Sequence, residues 1–332
     1  MSIKEPSKET VYDVSGTRLI NVDCRTKGAF IIEEGTADVC TDAFLGCNDI
    51  TTLRIPASIK RFAWDSFREC NGIKEVFFDG SVEQWCKITF DSSTAAPCRH
   101  GAKLYIRGFP GDILAIPNTI ETIKGYAFCG VAKKTINIPP SVKIIMMGAF
   151  MYCSELVNVN LTEGLQQIGS SAFYCCEQLE SIALPDSLNA INAHAFAGTR
   201  ALKHLYIPAS VIVVADAIAR DNLDIEFYLE SRPKSTWPNT WNKVRKNSKT
   251  ARANTHYNIP RWWYEQNVAK TKYCYTPKNS RHLPFTEGDG FSAFCGLLYK
   301  QKTRANILPS FPLSFPPQFN GVAAPLFPPC KT

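Results

Sequence analysis

Cysteine is the residue type in this sequence whose spacing could do chemistry. Thirteen of the 332 residues are cysteine, and Cys47/Cys70 and Cys153/Cys176 each stand 23 apart. Thiols at set spacings can hold zinc, pair as disulfides, or act as nucleophiles beside a base. The position three after a recurring phenylalanine reads Cys47, Cys70, Ser93, Val131, Cys153, Cys176 and Thr199. Serine, valine and threonine share cysteine's small volume but not its metal affinity or redox chemistry. The column therefore reads as small side chains packed in a tight turn. Cys24, Cys40, Cys98, Cys274, Cys295 and Cys330 follow no pattern, and Cys175-Cys176 is not a CxxC pair. The five histidines, His100, His194, His204, His256 and His282, are scattered. No GxSxG, P-loop, GxGxxG or HExxH occurs. The reading is of a non-enzyme, with no catalytic, cofactor-binding or metal site.

The spacing belongs to a repeat. Ala149-Phe150, Ala172-Phe173 and Ala195-Phe196 recur 23 residues apart, and the frame extends back through Phe128, Phe90 and Phe67 to Phe44. A fixed period of this length marks a solenoid. One strand position is filled by Phe30, Leu53, Val76, Leu114, Ile136, Val159, Ile182 and Leu205. The position two later holds Ile32, Ile55, Phe78, Ile116, Ile138, Leu161, Leu184 and Ile207. All are apolar, and a spacing of two puts them on one face of a short strand. Proline often follows (Pro56, Pro117, Pro139, Pro185, Pro208) and ends pairing there. An apolar pair three apart comes next, such as Ile59/Phe62 or Val82/Trp85, and then the Ala-Phe turn. Adjacent coils lie about 4.8 Å apart, so a Cys47–Cys70 or Cys153–Cys176 disulfide is geometrically conceivable. Free thiols are the expectation in a reducing compartment.

Three segments follow from this frame. Residues 1–17 form a polar extension, expected to be frayed. Residues 18–242 form the solenoid. Within it, an insertion over 91–113 is expected to protrude as a hairpin or extra strand, and 211–242 form a C-terminal cap in which Trp237 and Trp241 cover the core. Residues 243–332 hold ten of the 21 prolines and carry a net charge of +11, against −4 for the rest. This tail is expected to be irregular and poorly ordered. No apolar run is long enough to span a membrane, since Ile307 to Pro329 contains seven prolines. The start, MSIKEPSKETVYDVSG, has no apolar h-region and reads as lacking a secretory signal.

The repeated phrase is aliphatic-x-x-aliphatic-x-aliphatic-Pro, two further aliphatics three apart, then Ala-Phe-x-x-Cys. Residues 176–199, CEQLESIALPDSLNAINAHAFAGT, show it clearly. It resembles the BspA-like, or Treponema-type, leucine-rich repeat. VEQWCKITF followed by LYI, and the closing IEFYLESRPKSTWPNTWN, are similar to elements of that family, so the resemblance covers about 18–242. It implies an α/β leucine-rich repeat solenoid of 23-residue coils. Such a solenoid has a parallel β-sheet on its concave side, short turns or helices on its convex side, and here an irregular C-terminal tail. It also implies a non-enzymatic protein that recognises other proteins, by surface adhesion or host interaction, at the cell surface or after secretion. The polar start points instead to a cytoplasmic alternative.

On such a sheet the outward strand positions carry any binding function. Arg54, Phe77, Asn137, Asn160 and Tyr206 fall in one outward column, and Glu75, Asn158 and His204 in the other. Aromatic and arginine side chains are the usual interface anchors. These eight residues are the candidate concave-face binding set, and the partner they imply is a protein ligand. The alternative is an intracellular scaffold, or a basic tail that binds nucleic acid or an acidic surface. No nucleic-acid-binding fold signature accompanies the tail, so nucleic acid is the weaker reading.

Overall fold

The computed structural model describes residues 9–107, 113–246 and 249–269. Each regular coil runs from a strand on the concave sheet, through a turn, to a two-residue strand on a second ladder. It returns through the Ala-Phe turn on the convex side. The concave ladder forms in three sections. Gly28–Ile31, Ile50–Ile55, Glu75–Phe78 and Lys103–Ile106 pair in parallel. So do Ile113–Ala115, Thr135–Asn137, Asn158–Asn160 and Ser181–Ile182. The third section is His204–Ile207, Glu226–Leu229 and Asn254–His256. Every inward strand residue named above faces the core, with Phe30 and Leu161 half-buried and the others buried.

The convex turns explain the small-residue column. The residue two before the core phenylalanine takes a left-handed conformation in each regular coil: Asp42, Asp65, Tyr126, Gly148, Ser171 and His194. So does the residue two after it: Gly46, Glu69, Gly130, Tyr152, Cys175 and Gly198. His194 and Cys175 are thus turn residues held at positive φ. Turn amides bond from coil to coil, as in Phe150 N–H to Ala172 O (2.9 Å) and Phe173 N–H to Ala195 O (2.8 Å). This pairing satisfies backbone groups that would otherwise be stranded. Beneath them, Phe128, Phe150, Phe173 and Phe196 stack at 5.4–5.7 Å with nearly parallel rings.

The cysteines lie in these turns. Cys70 Sγ donates to Cys47 O, Cys153 Sγ to Phe128 O and Cys176 Sγ to Phe150 O, each at 3.1 Å. Thr199 Oγ1 fills the same position and donates to Phe196 O (2.7 Å). A small side chain with a donor hydrogen fits here, and the ten cysteines among the described residues are all free thiols.

Four expectations need correction. First, of the two forms expected for the insertion it supplies the extra strand and not a hairpin, and that strand lies in the sheet instead of protruding. Lys103–Ile106 pairs with Glu75–Phe78 as a full rung, whereas Ile113–Ala115 starts the next section. The turn expected between them falls partly on 108–112, outside the described residues. Second, Val82/Trp85 is not the apolar pair that leads into the convex turn. The segment Val82–Lys87 is an α-helix with a capping box from Ser81 and Gln84. Phe90 then pairs with Phe62, so Ala95 occupies the core phenylalanine position and Cys98, not Ser93, the small one. Third, the N-terminal extension is not wholly frayed: Val11–Tyr12 pairs antiparallel with Arg18–Asn21. Fourth, regular structure continues past residue 242. Lys243–Lys246 and Lys249–Arg252 form a hairpin, Asn254–His256 adds a rung to the concave sheet, and Arg261–Tyr264 is a helical turn. The rest of the expected tail, 270–332, lies outside the described residues.

Candidate functional site

The concave face is built from residues that point away from the core on successive rungs. Parallel pairing, in register from Ala29 onward, aligns them in columns: Ile31, Arg54, Phe77 and Tyr105 in one, Glu75 and Lys103 in the other. Arg54 is exposed and forks onto Asp79, with Nε to Oδ2 at 2.9 Å and Nη2 to Oδ1 at 2.8 Å. At 57% and 38% side-chain exposure this pair is screened by solvent and adds little to stability. Its arginine is held in a fixed pose at little cost. Phe77 is 36% exposed and stacks on Tyr105 at 4.7 Å with the rings 12° apart. The Tyr105 hydroxyl donates to Glu75 Oε1 (3.3 Å). Ile31, 64% exposed, adds an apolar side chain at the end of the column, on the far side of Arg54 from Phe77. The two rings spend their faces on each other and present their edges, which suits contact with apolar side chains.

The outward side chains of the middle section are uncharged, with Ile113 exposed on its first rung and amides on the rungs after it. Asn160 Nδ2 donates to Asn137 Oδ1 (2.7 Å), joining two rungs through their amides. Asn158 is exposed beside them in the second column. Arg54, Glu75, Phe77, Asn137, Asn158 and Asn160 thus lie on the accessible part of the face.

His204 and Tyr206 do not join them. Tyr206 was expected to be an open anchor, but only 3% of it is exposed. Arg261 lies over its ring at 5.0 Å and Tyr264 packs on it at 5.1 Å. His204 is half-buried, with its ring edge-on to Tyr228 at 5.8 Å. Burial lowers the His204 pKa, only partly opposed by the Glu226 carboxylate, so the imidazole is neutral at pH 7.

Sequence reasoning missed Tyr105, because the 23-residue frame passed over its rung. A signal was present: Lys103-Leu104-Tyr105-Ile106 repeats the Leu-Tyr-Ile of the His204–Ile207 strand. It also missed Tyr228, His256, Arg261 and Tyr264, which lie beyond or at the end of the recognisable repeats. Among the described residues, no three His, Cys, Asp or Glu side chains are grouped to hold a metal ion. What the face presents is apolar edges, amides and ion-paired charges carried on hydrogen-bonded strands.

Comparison with known proteins agrees with this architecture. Six copies of the BspA type leucine rich repeat region match residues 23–96 and 112–224, together more than half of the chain. No curated protein matches the sequence. Among solved structures, the chain is similar to a leucine rich cell surface protein from Faecalibacterium prausnitzii A2-165, at 20% identity and a TM-score of 0.44. That match covers 72% of this chain and 62% of the other. The pneumococcal vaccine antigen PcpA is 16% identical with a TM-score of 0.43, covering 68% of this chain and 59% of its own. A leucine rich repeat protein of T. pallidum is 18% identical with a TM-score of 0.33, covering 82% and 97%. The chain thus spans less than two thirds of the first of these relatives. The repeat phrase, the parallel concave ladder and the matched copies agree, and the chain belongs to the BspA-type leucine-rich repeat family.

Proposed function

We propose that the protein is a non-enzymatic recognition module that binds a protein ligand on the open part of its concave face. The observation that carries this reading is the strip Ile31–Arg54–Phe77–Tyr105. It sets exposed apolar edges beside a fixed arginine, with the Asn137/Asn160 amides beyond. The residue types match those that carry interface energy. The strands beneath are anchored in one continuous buried core, so little conformational entropy is lost on binding. The eight rungs of the first two sections, at about 4.8 Å each, give a face long enough for a standard interface of about 800 Å² per partner. Adhesion or host contact at a cell surface is the finer form of the proposal, and it rests on the family membership. No helix of the described residues is long and apolar enough to cross a membrane.

The test is affinity capture with the full chain as bait against surface-derived and cytosolic protein extracts in parallel. The paired bait carries Phe77→Ser and Tyr105→Ser. A partner kept by the natural chain and reduced at least tenfold by the variant supports the reading, and the extract that supplies it gives the compartment. Equal retention by both baits refutes it.

A further inference from the structure

The C-terminal third of the concave face carries an occupant from its own chain. After the Asn254–His256 rung, the Ile259 N–H bonds to Leu229 O (2.9 Å) and the chain turns back over the sheet. It crosses as the Arg261–Tyr264 helical turn and the wide turn Glu265–Ala269. Arg261 Nη2 donates to Leu184 O (2.9 Å) and to Asp186 Oδ1 (2.5 Å), and its Cζ sits 5.0 Å from the Tyr206 ring centre. Tyr264 packs on both Tyr206 and Tyr228, each at 5.1 Å.

A terminal cap shields the end of a core. Trp237 and Trp241 cover core side chains in this way, packing edge to face, with Trp241 against the core residue Phe227. Tyr206 and Tyr228 are outward residues of the sheet, so the crossing segment covers the face on which a partner would bind. It engages that face as peptide ligands do. Two side chains three apart on one helical face reach down, and the guanidinium meets a carboxylate, a carbonyl and an aromatic ring at once. Glu226 Oε2 accepts from the Tyr228 hydroxyl (2.7 Å), which sets a carboxylate beside the covered rings.

We propose that residues 258–269 are an intramolecular ligand of the concave face, exchangeable with a partner segment that carries an arginine and an aromatic residue three apart on a helical turn. The outside partner rests on the recognition reading above; the intramolecular occupancy does not. A tethered ligand competes at an effective concentration on the order of millimolar, so the natural chain masks this site and leaves the Phe77 end open.

The experiment uses the full chain and a fluorescent peptide of residues 258–269. The natural chain is compared with the double variant Arg261→Ala, Tyr264→Ala. The variant is expected to bind the peptide at least tenfold more tightly than the natural chain does. Asp186→Asn added to the variant, or Arg261→Ala in the peptide, removes that gain. Adding Phe77→Ser and Tyr105→Ser leaves it unchanged, which separates failure here from failure of the recognition reading. A variant that keeps its melting temperature but gains no affinity overturns the proposal. A variant that no longer folds overturns it too, because the segment is then a structural cap.

Discussion

Trp85 is the side chain on which the joining of the two halves of the solenoid most depends. The concave ladder is interrupted between Lys103–Ile106 and Ile113–Ala115, and the second ladder between Thr89–Phe90 and Thr122–Ile123. Across this junction Trp85 Nε1 donates to Ala127 O (2.7 Å), Lys124 Nζ to Lys87 O (2.6 Å), and Ala132 N–H to Ala102 O (3.3 Å). The Lys124 bond is exposed, whereas Trp85 is 1% exposed. Trp85→Phe keeps an aromatic ring but strands the Ala127 carbonyl, which costs about 1–3 kcal/mol. The missing ring atoms add about 1 kcal/mol of lost burial and void, for an expected loss of roughly 2–4 kcal/mol. Because repeat arrays are stabilised mainly by neighbour interfaces, the weakened junction should also uncouple the halves. Urea unfolding followed by circular dichroism should show a lower midpoint and a broadened or two-step transition. Hydrogen exchange should accelerate first around Lys124 to Ala132. Phe173→Leu, placed in an unbroken ladder, should lower the midpoint without splitting the transition. A Trp85→Phe loss under about 1 kcal/mol with a single sharp transition would refute the reasoning, since it falls below the cost of one stranded buried carbonyl.

Three further outcomes follow from the same packing. Burial pushes the Cys47, Cys70 and Cys86 thiols up to about 12. They should resist a thiol reagent at pH 8 until denaturant is added, as mass spectrometry of the labelled peptides would show. Unfolded thiols ionise near 9, so their contribution to stability is complete below that pH and is lost as pH rises from about 9 towards 12. Melting temperature against pH, compared with a Cys47→Ala, Cys70→Ala chain, checks the sign. Gly130 sits at φ +74°, where an added Cβ would fall 2.1 Å from Cys98 O. Gly130→Ala should therefore cost more than about 1–3 kcal/mol, the range for ordinary overpacking, measured by urea midpoint. Asn222 is buried and its Nδ2 donates to Thr199 O and Leu202 O. Asn222→Leu should cost about 1–3 kcal/mol per stranded carbonyl, with the loss seen in exchange of the His204–Ile207 rung.

The regular coils were legible because strand period, proline stop and Ala-Phe turn all encode one geometry, so each confirms the others. The frame failed where two independent signals coincided by chance. The Val82–Lys87 helix places Val82 and Trp85 three apart, the same spacing as Ile59 and Phe62, of which Phe62 lies on the second ladder. Phe90 then stands 23 after Phe67, although in the fold it aligns with Phe62. A helical turn and a short bent strand both bring residues three apart to one side, so spacing alone cannot tell them apart. The Ser81–Gln84 capping box could have.

The site was half legible for a different reason. Outward strand positions follow from the period, so Arg54, Phe77 and the asparagines were placed on the face without knowledge of any contact. Exposure at those positions does not follow from the period, because a segment from outside the repeat can cover them. Residues 243–269 belong to a region read by its average: basic, proline-rich and aperiodic. Averaging hid one rung, Asn254–His256, which is only three residues long and so too short to show a period. It also hid the meaning of Tyr264, an aromatic residue that a disordered tail has no reason to carry. Ring and guanidinium both lie on Tyr206, so the unexplained aromatic residue and the expected anchor are two sides of one contact. An apolar residue with no role in its own segment is a statement about a surface elsewhere. Here that surface is the sheet the repeats build.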